Sequence, residues 1–168
     1  MSSRPGPEPG ARGVSESWTT ASELPDEVVA ALRTPDAAAN PIAIVATVDA
    51  DSSPRTAPFG SLRALSPRHL RFGCGREHAT FTNIVRDGRV AIALLLPPTV
   101  ALTVRGRARI AKERMEVLGD AVIEIEVDEV KNDAQTGTEF EITSGVAISY
   151  PESLVPLLAQ YLAEIEEA

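Results

Sequence analysis

Two alternating stretches constrain the fold more than anything else in the chain. In residues 100–112, VALTVRGRARIAK, one face carries Val100, Leu102, Val104, Gly106, Ala108 and Ile110, and the other carries Thr103, Arg105, Arg107 and Arg109. Residues 122–130, VIEIEVDEV, repeat the pattern, with Ile123, Ile125 and Val127 on one side and Glu124, Glu126 and Asp128 on the other. A period of two is that of a half-buried strand. Paired antiparallel, the two strands set a basic row beside an acidic row, a solvated ladder worth about 0.2–1 kcal/mol per pair. The arginine row is therefore assigned to the neighbouring strand and not to nucleic-acid phosphates.

The other segments fit the same sheet. Ile42, Ile44, Ala46 and Val48 alternate with smaller residues, and residues 49–53 carry turn chemistry. PRTAPFGSLRAL reads as a second strand with Arg55, Ala57 and Phe59 on one face and Thr56 on the other. Pro54 and Pro58 cannot donate to a ladder, which makes it an edge or interrupted strand. A turn at Ser66-Pro67-Arg68 leads into HLRFGC, and RVAIALLL is apolar on both faces, as in a barrel wall or under a partner. This predicts five or six antiparallel strands with one helix inserted after the third and helices at both ends. Such a sheet loses its exposed edges most easily by closing into a small barrel.

Helix signals frame the sheet. Residues 18–33 read as a helix, with Thr20 and Glu23 at capping-box spacing and Leu24, Val28, Val29 and Leu32 on one face. A last helix is expected in SYPESLVPLLAQYLAEIEEA, capped by Ser153 so that Pro156 falls in its first turn. Residues 1–16 are rich in Pro, Gly and Ser and read as a disordered tail ahead of a single domain over residues 17–168.

Composition then excludes classes of function. A net charge of −8 opposes general nucleic-acid binding, which needs basic surface. No apolar run approaches the roughly 18 residues of a membrane span, and no secretory leader is visible. One cysteine, Cys74, fits a reducing cytoplasm. Two histidines and one cysteine without motif spacing predict no metal site. No local Ser/His/Asp set suggests hydrolase chemistry.

The least ordinary stretch is RFGCGREHATFTNIVRDGRV, residues 71–90. An apolar strand ends in Gly73-Cys74-Gly75, and Arg76, His78, Thr80, Thr82 and Asn83 then crowd the start of a helix expected over residues 78–86. Either this is an ordinary strand-to-helix turn, or an anion lies against the helix start, where free N–H groups, hydroxyls and arginine forks suit a phosphate. Cys74 reads as packing at a strand end, His69 as surface, and Asn83 as fixing the helix or a loop.

The order IAIVATVDADSSPRTAPFGSL, LRFGCGREHATFTNIVRDGRVAIALL, VRGRARI and VIEIEVDEVKND resembles the pyridoxamine 5′-phosphate oxidase-related, FMN-binding split-barrel family over residues 41–133. The resemblance implies a mainly β fold with flanking helices: a six-stranded antiparallel split β-barrel, homodimeric, with flavins in the grooves between subunits. It implies that Arg55, Thr56, Ala57 and Pro58 follow the flavin ring, and that Gly73 and Cys74 leave room for ring or ribityl chain. Arg76, His78, Ala79, Thr80 and Asn83 then fall at the phosphate end. Many relatives have Ser-x-Lys-x-x-Asn there; this chain has His78 in the serine position and Thr80 in the lysine position. Phosphate charge would have to come from Arg76 or Arg55, with His78 protonated.

The function implied is an FMN-dependent oxidoreductase that moves hydride or electrons to or from a small organic substrate, with a nicotinamide or a second flavin as electron donor. F420 is the alternative cofactor. A non-catalytic flavin, F420 or haem carrier or sensor, and a cofactor-free dimeric module, are the alternative functions. No catalytic residue is assigned. True pyridoxamine phosphate oxidation fits poorly, because TSGVAISYPESL has no Arg or Lys to hold a substrate phosphate.

Overall fold

A computed structural model describes residues 20–135 and 141–168. The expected tail over residues 1–16, and Trp18 at the expected helix start, lie outside the described residues. In chain order the elements are β1 (Thr20–Ala21), α1 (Asp26–Ala31), β2 (Ala43–Val48), β3 (Pro54–Phe59), β4 (Arg63–Ser66), β5 (His69–Cys74), α2 (Ala79–Arg86), β6 (Arg89–Leu96), β7 (Val100–Lys112), β8 (Ala121–Asn132) and α3 (Val155–Glu167). Short 3₁₀ turns cover Ala37–Ala39, Asp133–Gln135 and Glu152–Leu154.

All eight strands join one antiparallel sheet in the order β3-β2-β6-β7-β8-β5-β4, with β1 added against β8. The expected second strand is two strands, β3 and β4, and they lie at opposite ends of that order. Only Gly60, Ser61 and Leu62 connect them. A flat path of seven strands would separate its ends by nearly 30 Å at ~4.8 Å per step, whereas the connection reaches at most about 14 Å. The sheet therefore rolls until its two ends nearly meet, but β3 and β4 do not pair. That is a split barrel, mainly β with flanking helices. Eight strands replace the six expected because the long strand divides and a two-residue strand forms at the start.

The β7–β8 ladder forms as the alternation predicts. Arg107 opposes Glu126 and Arg109 opposes Glu124. A register shift after Arg105 brings Arg105 opposite Glu129, 3.2 Å from its carboxylate, and leaves Asp128 out of the row. Gly106 sits at that shift, where a Cβ would come within 2.3 Å of the Glu126 carbonyl. Val100, Leu102, Val104, Ile123, Ile125 and Val127 fill the barrel together with Phe72, Leu70, Ile92 and Leu94.

Three sequence expectations are corrected. The capping box at Thr20 and Glu23 does not form; Thr20 pairs with Lys131 in the sheet, and the helix starts only after Pro25. A residue before proline is driven out of the helical region, so no helix runs through Leu24-Pro25. The apolar face of Leu24, Val28, Val29 and Leu32 is nevertheless buried. Ser153 does not cap the last helix; it lies in the 3₁₀ turn, and Pro156 falls in the first turn of α3 as expected. In β2 the inward face is Ala43, Val45 and Thr47, while Ile44, Ala46 and Val48 are half-buried on the outside.

α3 lies over the ends of β4 and β5, burying Tyr161, Leu162 and Ile165. Arg71 donates to the main-chain carbonyl of Glu166 at 3.1 Å, a cation at the negative end of the helix. The Glu164 carboxylate accepts from Lys112 Nζ (2.7 Å) and from the N–H groups of Glu116 (2.7 Å) and Val117 (2.9 Å). The Lys112 bond and then the Val117 N–H hold this carboxyl at about 2, against its usual 4.5. A depressed carboxylate stabilises the fold above its unfolded value and loses that contribution as the pH falls through its folded value. Acidification from about pH 5 to 2 should accordingly weaken the docking of α3, followed through exchange of the Glu116 and Val117 amides. Glu164→Gln should already show the loosened helix at pH 7; an unchanged acid response in that variant would rule Glu164 out as the anchor.

Candidate functional site

The β5–α2 corner is built from local chemistry. His78 is the N-cap of α2, its Nδ1 accepting from the Thr80 N–H at 3.2 Å, while its ring sits edge-on to Phe59 with centroids 5.6 Å apart. The face that α2 buries is Thr80, Asn83 and Ile84. Arg86 closes the last turn, donating to the Asn83 Oδ1 at 3.2 Å and to the Val48 carbonyl.

A polar cleft of about 500 Å³ opens between this helix and the β2–β3 turn, lined by Asp49, Asp51, Arg55, Thr82, Asn83 and Arg86, with Ala79 at its wall. Asp49 organises it. Its carboxylate accepts from Arg55 Nε at 2.9 Å on both oxygens, pairs with Arg55 Nη2 at 2.7 Å and accepts from Asn83 Nδ2 at 2.7 Å. The Arg55 bonds, then that from Asn83, hold Asp49 at about 2. Asn83 also donates to the Thr47 hydroxyl at 3.0 Å. Two guanidiniums therefore face the cleft with two carboxylates to balance them.

A second cavity of about 370 Å³ lies farther along β3, where Pro58, Phe59, Gly60 and Ser61 meet Gly73 and Gly75 under α3. Its roof is Leu154, Leu157, Leu158 and Tyr161, and Tyr161 Oη donates to Asp120 Oδ2 at 2.6 Å.

The edge of β3 runs between the two. Among the described residues β3 pairs only with β2, with Pro54 opposite Val48 and Pro58 opposite Ile44. The ladder loses nothing at the prolines if those positions turn their nitrogens away from β2. Thr56 shares their phase, so its N–H and C=O project from the unpaired side of the strand.

The sequence-derived residues divide accordingly. Arg55, Ala79 and Asn83 meet in the polar cleft, and Pro58 and Gly73 line the apolar cavity. Thr56 is exposed on the strand edge and Ala57 is buried. Arg76 lies elsewhere, in a hollow with Glu77, Arg114 and Asp120. The ring of His78 serves the helix cap. Thr80 is fully buried, its Oγ1 without a partner among the described residues, so it faces the core and not a phosphate at the surface. Gly73 does permit a close approach, but the occupant is the chain's own Tyr161: a Cβ there would meet its Oη at 2.0 Å.

Asp49, Arg86, Asp120 and Tyr161 were missed, and Thr82, noted at the helix start, was not assigned to the ligand. Arg86 and Thr82 fall within a turn of Asn83 on α2, a spacing that could have found them; nothing local links Tyr161 to Gly73. Among the described residues, no three His, Cys, Asp or Glu side chains converge as a metal site.

Comparison with known proteins agrees with this architecture. The sequence model of pyridoxamine 5′-phosphate oxidase matches residues 24–142, well over half of the chain. A protein from Lactobacillus delbrueckii, provisionally named a pyridoxamine 5′-phosphate oxidase, shares 26% identity over 66% of this chain and 94% of its own, with a TM-score of 0.55. A provisionally named counterpart from Listeria innocua shares 14% identity over 65% of this chain and 97% of its own, with a TM-score of 0.52, which speaks to the fold alone. No curated protein matches the chain. The molecule is a split barrel of the pyridoxamine 5′-phosphate oxidase class. The chain belongs to that family.

Cys74 lies at the end of β5, 1% exposed, its thiol nearest the Gly75 carbonyl at 3.7 Å. Burial, reinforced by Asp120, pushes the thiol up to about 12. A thiol with so little thiolate is a poor nucleophile. In the folded protein at pH 8 it should react with a disulfide reagent no faster than the chain opens, and at once in denaturant; rapid reaction of the native protein would contradict the packing role.

Proposed function

We propose that the protein binds a flavin-type cofactor along the unpaired edge of β3 and acts as an oxidoreductase on a small organic substrate. The observation that carries this reading is the continuity of three features: a cleft with two guanidiniums, an exposed strand edge and an apolar cavity. FMN takes up the first two, its phosphate at the cleft and its polar chain and flat ring along the strand edge, and the cavity is left beside it for a substrate. Arg55, Arg86 and the Thr82 hydroxyl suit the phosphate, and the main chain of Thr56 suits the polar edge of the ring. When bound, a flavin supplies hydride or electron transfer; the protein supplies position, hydrogen bonds and exclusion of water.

The charge balance of the cleft sets its affinity. Asp49 already holds Arg55, and Asp51 adds a second carboxylate, so a dianion enters a nearly neutral site. Removing one carboxylate strengthens the site, and removing one guanidinium weakens it.

The protein acts as a homodimer in this reading. Residues directly opposed across β2, β6 and β7 share the outer face: Ile44 with Ala93, Ala46 with Ala91, Ala93 with Thr103, Leu95 with Ala101. The patch is made largely of small apolar residues, bordered by Thr103 and by Arg105 opposite Ala91, and Leu95 is 52% exposed on it. A flat patch of this kind is what a partner sheet covers.

Titration of FMN, followed by quenching of its fluorescence and a shift of its visible bands, tests the proposal. Arg55→Ala should weaken binding roughly tenfold, as loss of a charge-assisted hydrogen bond does. Asp49→Asn should tighten it several-fold. F420 serves as the second ligand, and oxidation of NADH or NADPH by the loaded protein separates an enzyme from a carrier. No response to either cofactor would refute the reading.

A further inference from the structure

We infer that the cavity beneath α3 is a seat for an uncharged or cationic aromatic molecule and rejects anions. As the substrate of the protein, such a molecule rests on the flavin reading above; as a ligand of the cavity it does not.

The size is suitable: about 370 Å³ falls at the lower end of the roughly 300–1,000 Å³ typical of small-molecule sites. The walls are apolar and partly aromatic. Phe59 stacks obliquely on Phe72 with centroids 4.7 Å apart and lines the cavity beside Pro58. Leu154 and Leu157 hang over the opening 44% and 37% exposed, large apolar side chains that a flat ligand would cover. Tyr150 closes the far side, its Oη at 3.0 Å from where a Cβ of Gly60 would stand.

The polar groups decide the charge of the occupant. Among the described residues no Lys, Arg or His lines the cavity, and Asp120 is the one charged side chain there. Asp120 Oδ2 accepts from Tyr161, while Oδ1 takes no hydrogen bond from the described residues and faces Gly75, 3.6 Å from where a Cβ would be. Burial and Asp120 together raise the Tyr161 phenol far above its ordinary range, so it stays a donor to the carboxylate and supplies no second negative charge. A carboxylate with a free oxygen at the edge of an apolar cavity welcomes an ammonium or a hydroxyl donor and repels a carboxylate or phosphate. A phosphorylated vitamer is excluded here by the same argument.

Three matched probes test this: 1-naphthylmethylamine, 1-naphthalenemethanol and 1-naphthoate, titrated calorimetrically with and without saturating FMN. The amine should bind best, the alcohol next, and the naphthoate at least roughly tenfold more weakly than the amine, the scale of one charge-assisted contact. Asp120→Asn, which keeps an acceptor for Tyr161, should bring the amine down to the level of the alcohol. Gly75→Leu should weaken binding of all three, since Gly75 lines the cavity and a Cβ there would meet only Asp120 Oδ1, at 3.6 Å, and no backbone atom; the unfolding transition of both variants verifies that they fold. Naphthoate binding as tightly as the amine would overturn the proposal. So would the absence of binding by any probe to the folded wild type, or displacement of the probes by FMN, which would make the cavity the seat of the flavin ring. Probes binding in the stated order to a protein that leaves FMN fluorescence unquenched would sustain the cavity and remove the flavin reading.

Discussion

The Gly60–Leu62 connection is the constraint from which the rest of the molecule follows. It is too short to span an open sheet, so it forces the sheet to roll, and β3 and β4 on its two sides do not pair with each other. Its polar groups are paid for locally: Asn40 Nδ2 donates to the carbonyls of Gly60 (2.7 Å) and Leu62 (3.1 Å), and Ser61 Oγ accepts from the Gly73 N–H at 3.2 Å. Arg63, nearly buried, joins Asn40 Oδ1 at 3.0 Å to Glu166 of α3 at 2.5 Å. A buried guanidinium is tolerable only when its donors are matched in this way. The same network thus fixes the split, the end of β5 and the last helix.

Function follows from what the split leaves open. β3 is an edge strand by virtue of two prolines and a partner on one side only, and the cleft and the cavity lie toward its two ends. Asp49 restrains the arginine that would receive a phosphate, which makes the polar end selective by balance and not by excess charge. α3 gives the apolar end its roof, and Asp120 gives it a sign. In the proposed reading the two ends favour different chemistry, an anion at Arg55 and a neutral or cationic ring at Asp120.

Much of the fold was legible in the sequence wherever the pattern was local. The β7–β8 ladder, the edge character of PRTAPF, the buried face of α1 and the start of α2 at His78 all depend on neighbours within a few residues. The division of PRTAPFGSLRAL was not legible, because a continuous alternation does not say that its two halves belong to opposite ends of a sheet. Pro25 was a visible signal that the capping-box spacing overrode. In the site, Arg55 and Asn83 stood among the candidate residues of the sequence, and the fold brings both to one cleft. Their partner Asp49 was hidden in turn chemistry, and Thr80 faces inward because its position on α2 matches Ile84 and not Arg86. Gly73 owes its lack of a side chain to Tyr161, 88 positions away, and no local pattern carries that information.

Residue-resolved amide exchange along β3 is the most direct test of the central claim, that the rolled sheet leaves this edge free for a ligand. In the protein without cofactor the Thr56 amide should exchange quickly while those of Arg55 and Ala57 are protected by β2, and saturating FMN should slow Thr56. A Thr56 amide already protected without ligand, or one unmoved by bound FMN, would contradict the account.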